Sequence, residues 1–154
     1  MRTSIVYYLL TGVLFLSLFS ACKSAKLSDA EEKQRIGEYY EAAAIYRKIY
    51  TKTSPKKRDL RGYIAFRMAE CNRLINNTGK ATSAYLNAIR YDYPDSIVHL
   101  RLAQMLHKTG RYPEAIKQYD LYLENQPTSQ LAINGIQGCE LAQLWRKQPT
   151  RYEV

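Results

Sequence analysis

The chain has 154 residues, 46% of them apolar, and its 23 Lys and Arg outnumber 14 Asp and Glu to give a formal charge of +9. This length supports one continuous core. No Gly-rich phosphate loop, zinc-protease motif or nucleophile elbow occurs, so the sequence predicts no enzyme and no cofactor.

Arg2 precedes an uncharged stretch, Thr3 to Ala21, too short and wrongly flanked for a membrane span but of the length of a secretory signal, which predicts a signal peptide over 1–21. Its end, Phe19-Ser20-Ala21-Cys22, resembles a bacterial lipobox, in which Cys22 would be diacylated and become the first mature residue. Phe19 stands where leucine is commoner, and a plain signal with an incidental cysteine is the alternative. Residues 22–27 read as a lipid-anchored tether. The mature 133 residues then carry 22 Lys and Arg against 14 acidic residues, spread over the whole length. Export removes nucleic acid as a partner, which leaves anionic lipid or cell-wall polymer for that charge.

Along the mature chain, Ser28-Asp29 is expected to cap a helix to about Ile36, Gly37 to turn, and Glu38 to about Thr51 to form a second helix with an apolar stripe at Ala42, Ile45, Tyr46 and Ile49. A connection rich in Lys, Thr, Ser and Pro, Thr51 to Asp59, follows. Leu60 to Leu74 and Ala81 to Tyr91 form the next pair around an Asn76-Asn77-Thr78-Gly79 turn. Asp95 or Ser96 caps the third, Ile97 to Lys108 and Pro113 to Glu124, where a proline at the start suits a helix. A last helix, Ser129 to about Lys147, has no following partner and stops at Pro149, leaving an extended tail over 149–154.

These pairs repeat. Gly37, Tyr39, Glu41, Ala42 and Tyr46 return as Gly110, Tyr112, Glu114, Ala115 and Tyr119. Ala30, Ala42 and Tyr46 recur 39 residues later as Ala69, Ala81 and Tyr85, and 34 residues after that as Ala103, Ala115 and Tyr119. The middle copy lacks the turn glycine and has Asn76 instead. Pro55, Pro94 and Pro127 fall just past the second helix of each pair, where an imide stops a helix. The pattern resembles the tetratricopeptide repeat family. It implies an all-α helical solenoid over 28–148, about three repeats and a C-terminal capping helix, with the 39-residue step absorbed by a longer loop. Gly135 and Gly138 inside the last helix predict close backbone contact there.

Cys71 and Cys139, two repeats apart, are too distant for a disulfide and read as small buried residues. His99 and His107 lack a third ligand at metal spacing and read as a surface or groove pair. Asn76-Asn77-Thr78 matches a eukaryotic sequon incidentally. Asp95-Ser96-Ile97 resembles a short O-glycosylation motif of some Bacteroidota, although a helix cap accounts for it equally.

Function then falls to a surface. In tetratricopeptide arrays the first helices line a concave groove, and this register would place Tyr63, Phe66, Glu70 and Arg73, then Leu100, Gln104, His107 and Lys108, then Asn134 along it. The family's Lys and Asn carboxylate clamp is not visible, which disfavours a chaperone-tail ligand. The stretch from Gly135 to Ala142, with Trp145 and Pro149-Thr150-Arg151-Tyr152, resembles the N-terminal module of OmpA-like outer-membrane lipoproteins that combine repeats, a propeller and a peptidoglycan anchor, some linked to type IX secretion. That resemblance implies a non-catalytic adaptor that binds envelope proteins or peptides through the groove and the membrane through its lipid. By resemblance to sorting signals, Lys23 rather than Asp after the cysteine implies the outer membrane, and the absence of an acidic pair after it implies the periplasmic face. The alternative, a glycan-capturing surface lipoprotein, draws on the 14 tyrosines.

Overall fold

The computed structural model describes residues 25–147, and among these all regular structure is helical. Seven helices follow in order: α1 (Leu27–Arg35), α2 (Tyr39–Lys52), α3 (Arg58–Leu74), α4 (Thr78–Arg90), α5 (Ile97–Lys108), α6 (Tyr112–Leu123) and α7 (Gln130–Lys147). The signal segment, Cys22 and the tail over 149–154 lie outside the described residues.

Three helix pairs share one hairpin chemistry. After α1, α3 and α5 the chain passes through a left-handed residue, Gly37 (φ 85°), Asn76 (φ 63°) and Gly110 (φ 73°). In each the next amide reaches back to a carbonyl five residues earlier, Glu38 to Lys33 (2.9 Å), Asn77 to Asn72 (2.8 Å) and Arg111 to Leu106 (2.9 Å). That is the hydrogen-bond pattern of a helix stop with a left-handed residue at its end. Asparagine is among the few residues other than glycine that tolerate this backbone, so the middle copy closes like its neighbours.

The hairpins bring the alanine columns together. Ala30, Ala69, Ala103, Ala42, Ala81 and Ala115 are all fully buried, Tyr46 and Tyr85 equally so, and Tyr119 is 3% exposed. A methyl lets two backbones approach, and the tyrosine ring fills the wedge toward the next pair. Two apolar clusters result. One joins Ala30, Ala42, Ala43, Tyr46, Ile64 and Cys71, and the other runs from Ala65 to Cys139. Helix α3 belongs to both, with Ile64 and Cys71 on one side and Ala65, Phe66 and Ala69 on the other. Cys71 and Cys139 are buried free thiols, and burial pushes Cys71 up to about 11.

Two expectations need correction, and one open choice is decided. The first helix starts at Leu27 on Lys26 with no side-chain cap, and Asp29 lies inside its first turn, where a carboxylate complements the helix dipole. Of the two candidate caps before α5, the Asp95 carboxylate accepts the Ile97 amide at 2.9 Å, while Ser96 makes no cap bond. The long connection is shorter than expected, because both flanking helices run into it. Only residues 53–57 separate α2 from α3, and the extra length is an added first turn of α3, Arg58 to Arg61, ahead of Gly62. The columns align Gly62 with Ser96 and Gln130, where α5 and α7 begin.

That added turn is held by its arginines. Arg61 donates to the carbonyls of Tyr50 (3.2 Å) and Thr53 (2.5 Å) at the end of α2, and its guanidinium lies over the Tyr50 ring at 4.0 Å and the Tyr91 ring at 4.8 Å. Arg58 donates to the Arg90 carbonyl at the end of α4 (2.8 Å) and pairs with Asp92. Terminal carbonyls have no helical partner of their own, so both contacts satisfy acceptors at the negative helix ends. Gly62 permits the approach, since a Cβ there would lie 2.8 Å from the Tyr91 carbonyl oxygen.

Helix α7 closes the array against α6. Ala132 and Cys139 are buried, and a Cβ on Gly135 would run into the Tyr119 ring. The close contact expected there is present.

Candidate peptide-binding groove

Successive first helices are stitched along one inner face. The Tyr63 hydroxyl donates to Glu31 of α1 at 2.7 Å, Glu70 of α3 faces Arg101 of α5 at 3.7 Å, Lys108 of α5 meets the Asn76 side chain, and His107 of α5 abuts Gly138 of α7. Residues 34 apart on α3, α5 and α7 therefore occupy equivalent places.

Glu70 is the polar centre of this face. It pairs with Arg73 at 2.8 Å, accepts the Tyr85 hydroxyl and faces Arg101, with its side chain 14% exposed. Burial pushes its carboxyl up, but the hydrogen bonds from Arg73 and Tyr85 and the charges of Arg73 and Arg101 outweigh that and hold it below the ordinary value. Burial, then the bond to Glu31, lifts Tyr63 to about 12. Gln104 accepts from Arg101 at 3.2 Å. With Arg67 on α3 and Lys108 on α5, the inner face carries four cations against Glu31 and Glu70.

Not every expected lining residue is open. Phe66 is 8% exposed and stacks on Tyr93 with ring centres 4.2 Å apart and planes 10° from parallel, and Leu100 is 3% exposed. Both are core. His107 packs edge-on to Tyr112 and Tyr119 at 5.7 and 6.5 Å, so it sits among three helices, and His99 reaches Gln118 of α6 at 2.8 Å. Lys108 is exposed, as is Asn134, whose Oδ1 accepts from Gln130 at 2.7 Å. Tyr63, Glu70, Arg73 and Gln104 are half-buried along the face.

The sequence register places only Asn134 of α7 in the groove and leaves Trp145 as a rival contact outside it. Leu131, Leu141 and Trp145 are 55%, 53% and 70% exposed. Leu131 and Leu141 are the 34-residue equivalents of Ile97 and His107, so extending the register would have found them. Trp145 has no such equivalent. Leu141, Ala142 and Trp145 border a recess of about 330 Å³ with Tyr112, Gly138 and Arg146. The Arg146 guanidinium lies 4.8 Å from the Tyr112 ring centre and braces one wall.

Among the described residues, no three His, Cys, Asp or Glu side chains gather as metal ligands, and no helix is long and apolar enough to cross a membrane.

A tetratricopeptide repeat family profile matches residues 75–129, which span α4, α5 and α6. No curated protein sequence matches the chain. Among solved structures, the fold is similar to the Yersinia enterocolitica type III secretion chaperone SycD, determined in complex with a peptide of the translocator YopD. The TM-score is 0.60 at 16% identity, over 79% of this chain and 92% of that one. The repeat columns, the three matching turns and these likenesses agree: the chain folds as a tetratricopeptide-repeat helical solenoid of three helix pairs and a closing seventh helix.

Proposed function

We propose that this chain is a non-catalytic scaffold that holds a segment of a partner protein along its inner face, tethered to the bacterial outer membrane through lipid on Cys22. The observation that carries the binding reading is the exposed Leu141 and Trp145 beside the 330 Å³ recess, at the end of a face with excess positive charge. An apolar pocket with an aromatic wall next to cations suits an anchor side chain and nearby carboxylates. A fold relative that binds a translocator peptide supports this use of the fold. The lipobox-like Phe19-Ser20-Ala21-Cys22 supports the anchor, and the resemblance of residues 135–152 to repeat modules of OmpA-like lipoproteins supports an envelope assembly, of which type IX secretion is one setting. Wall binding is not assigned to this chain.

Affinity capture from envelope membranes, with the captured proteins identified, tests the groove. Lys108→Glu with Leu141→Asp and Trp145→Ala should abolish capture at unchanged helix content and melting temperature, because all three side chains are exposed. Retained capture would remove the inner-face mechanism. Fatty-acid labelling of wild type but not of Cys22→Ala tests the anchor separately.

A further inference from the structure

The opposite face carries a second recess. Between α2 and α4, with α3 as its floor, lies a trough of about 560 Å³. Its floor is formed by Met68 and Asn72 of α3 and by Ile75 at the end of that helix, with Ala43 and Ala84 beside them. Its walls differ. Along α4 the residues Asn77, Lys80, Ser83 and Asn87 follow each other at steps of three or four, which is one line down a helix. Arg47 faces them from α2, and no carboxylate lines the trough.

We propose that this trough binds an extended acidic segment of a partner polypeptide, with one apolar side chain seated against Met68 and flanking carboxylates paired with Arg47 and Lys80. The Asn87 carboxamide offers donors and an acceptor, and Asn77, whose Oδ1 caps the Lys80 amide, offers its Nδ2 donors, which matches the amide groups of an extended backbone passing along this wall. From Asn77 to Asn87 is about 15 Å along the helix, a span an extended chain covers in roughly five residues. The volume lies in the range of a built ligand site. A bare acyl chain fits less well, because one wall is polar over its whole length and burying such groups against hydrocarbon is unfavourable. This face is separate from the inner groove, so the two stand or fall independently.

The test uses a phage-displayed library of random heptapeptides, selected in parallel on the detergent-solubilised full chain and on its groove variant Lys108→Glu, Leu141→Asp, Trp145→Ala. Peptides recovered on both should place Asp or Glu beside an apolar residue. Their affinity, read by fluorescence anisotropy, should fall roughly tenfold or more in Arg47→Glu with Lys80→Glu. It should fall similarly in Ala44→Trp, which fills the trough from an exposed position. Circular dichroism confirms that both variants fold. Failure to recover acidic sequences on the groove variant, or affinity that survives both trough variants, would overturn the proposal. Displacement of a trough-bound dye by decanoate, without any selected peptide, would assign the trough to a free amphipathic anion and overturn it equally.

Discussion

The junction between the first and second repeats differs from that between the second and third, although both use the same columns and the same turn. At the first, the extra turn of α3 lies against the ends of α2 and α4, with Arg61 between the rings of Tyr50 and Tyr91, and a trough stays open behind it. At the second there is no added turn. Tyr93 folds back onto Phe66 with ring centres 4.2 Å apart, and Glu70 bridges Tyr85 to Arg101. An array can thus change its outer surface by lengthening one helix at its start. The alanine contacts and the hairpin turns are untouched by that change.

Enlarging the buried alanines on either side of the first junction should have the largest effect. Ala81 and Ala115 are fully buried where a second helix meets its own first helix, so leucine there should overpack the contact and cost about 1–3 kcal/mol. Ala43, next to the column residue Ala42, is also buried, at 9% exposure. It borders the trough, however, and a leucine can extend into that space. Ala43→Leu should therefore remain within roughly 1 kcal/mol of wild type in denaturant unfolding. Equal losses in all three variants would show that the trough is closed in solution.

The next largest effect addresses the added turn itself. Arg61→Ala removes two hydrogen bonds to the end of α2 and the cation between two aromatic rings, for an expected loss of about 2 kcal/mol. Arg58→Ala removes a half-exposed ion pair, one carbonyl contact and a longer contact with the Tyr91 ring at 5.6 Å, and should cost about 1 kcal/mol. Gly62→Ala sets a methyl against the Tyr91 carbonyl, a backbone atom that cannot swing aside, and should exceed the Arg58 variant. Thermal melts rank the three. If Arg58→Ala proved the most damaging, the added turn would be held through α4 and not through the Arg61 stack.

The repeat was legible because its signal is small residues at fixed spacing, and small residues mark close helix contacts wherever they fall. Ala30, Ala69 and Ala103 needed nothing but counting. The start of the added turn was not legible, since Thr51 to Asp59 contains Pro55 and reads as loop, and the helix is expected only from Leu60. What makes it helical is tertiary: carbonyls at the ends of α2 and α4 that take the arginine donors. The groove was read in part. Phe66, Leu100 and Asn134 share one register place, yet two are core and one is exposed, because the return of Tyr93 over Phe66 depends on the path of the loop after α4. The trough has no sequence signature, being the space left between two helices.

The smallest expected effect sharpens the second junction through pH. Glu70 is held below the ordinary carboxylate value of 4.5, its burial outweighed by hydrogen bonds from Arg73 and Tyr85 and by the charges of Arg73 and Arg101. A depressed native value means that the unfolded chain binds the proton more readily, so the stabilisation is fully present above about pH 4.5 and is lost as pH falls through the lower native value. Wild type should therefore lose stability in that acid window more steeply than Glu70→Gln, which keeps an acceptor of similar shape but has no proton to take up. At neutral pH the variant should be the weaker of the two, because a neutral amide pairs less well with Arg73 and Arg101. Denaturant midpoints measured from pH 7 downward give both curves. Parallel curves would mean that Glu70 does not clamp the second junction, and that Tyr93 on Phe66 holds it alone.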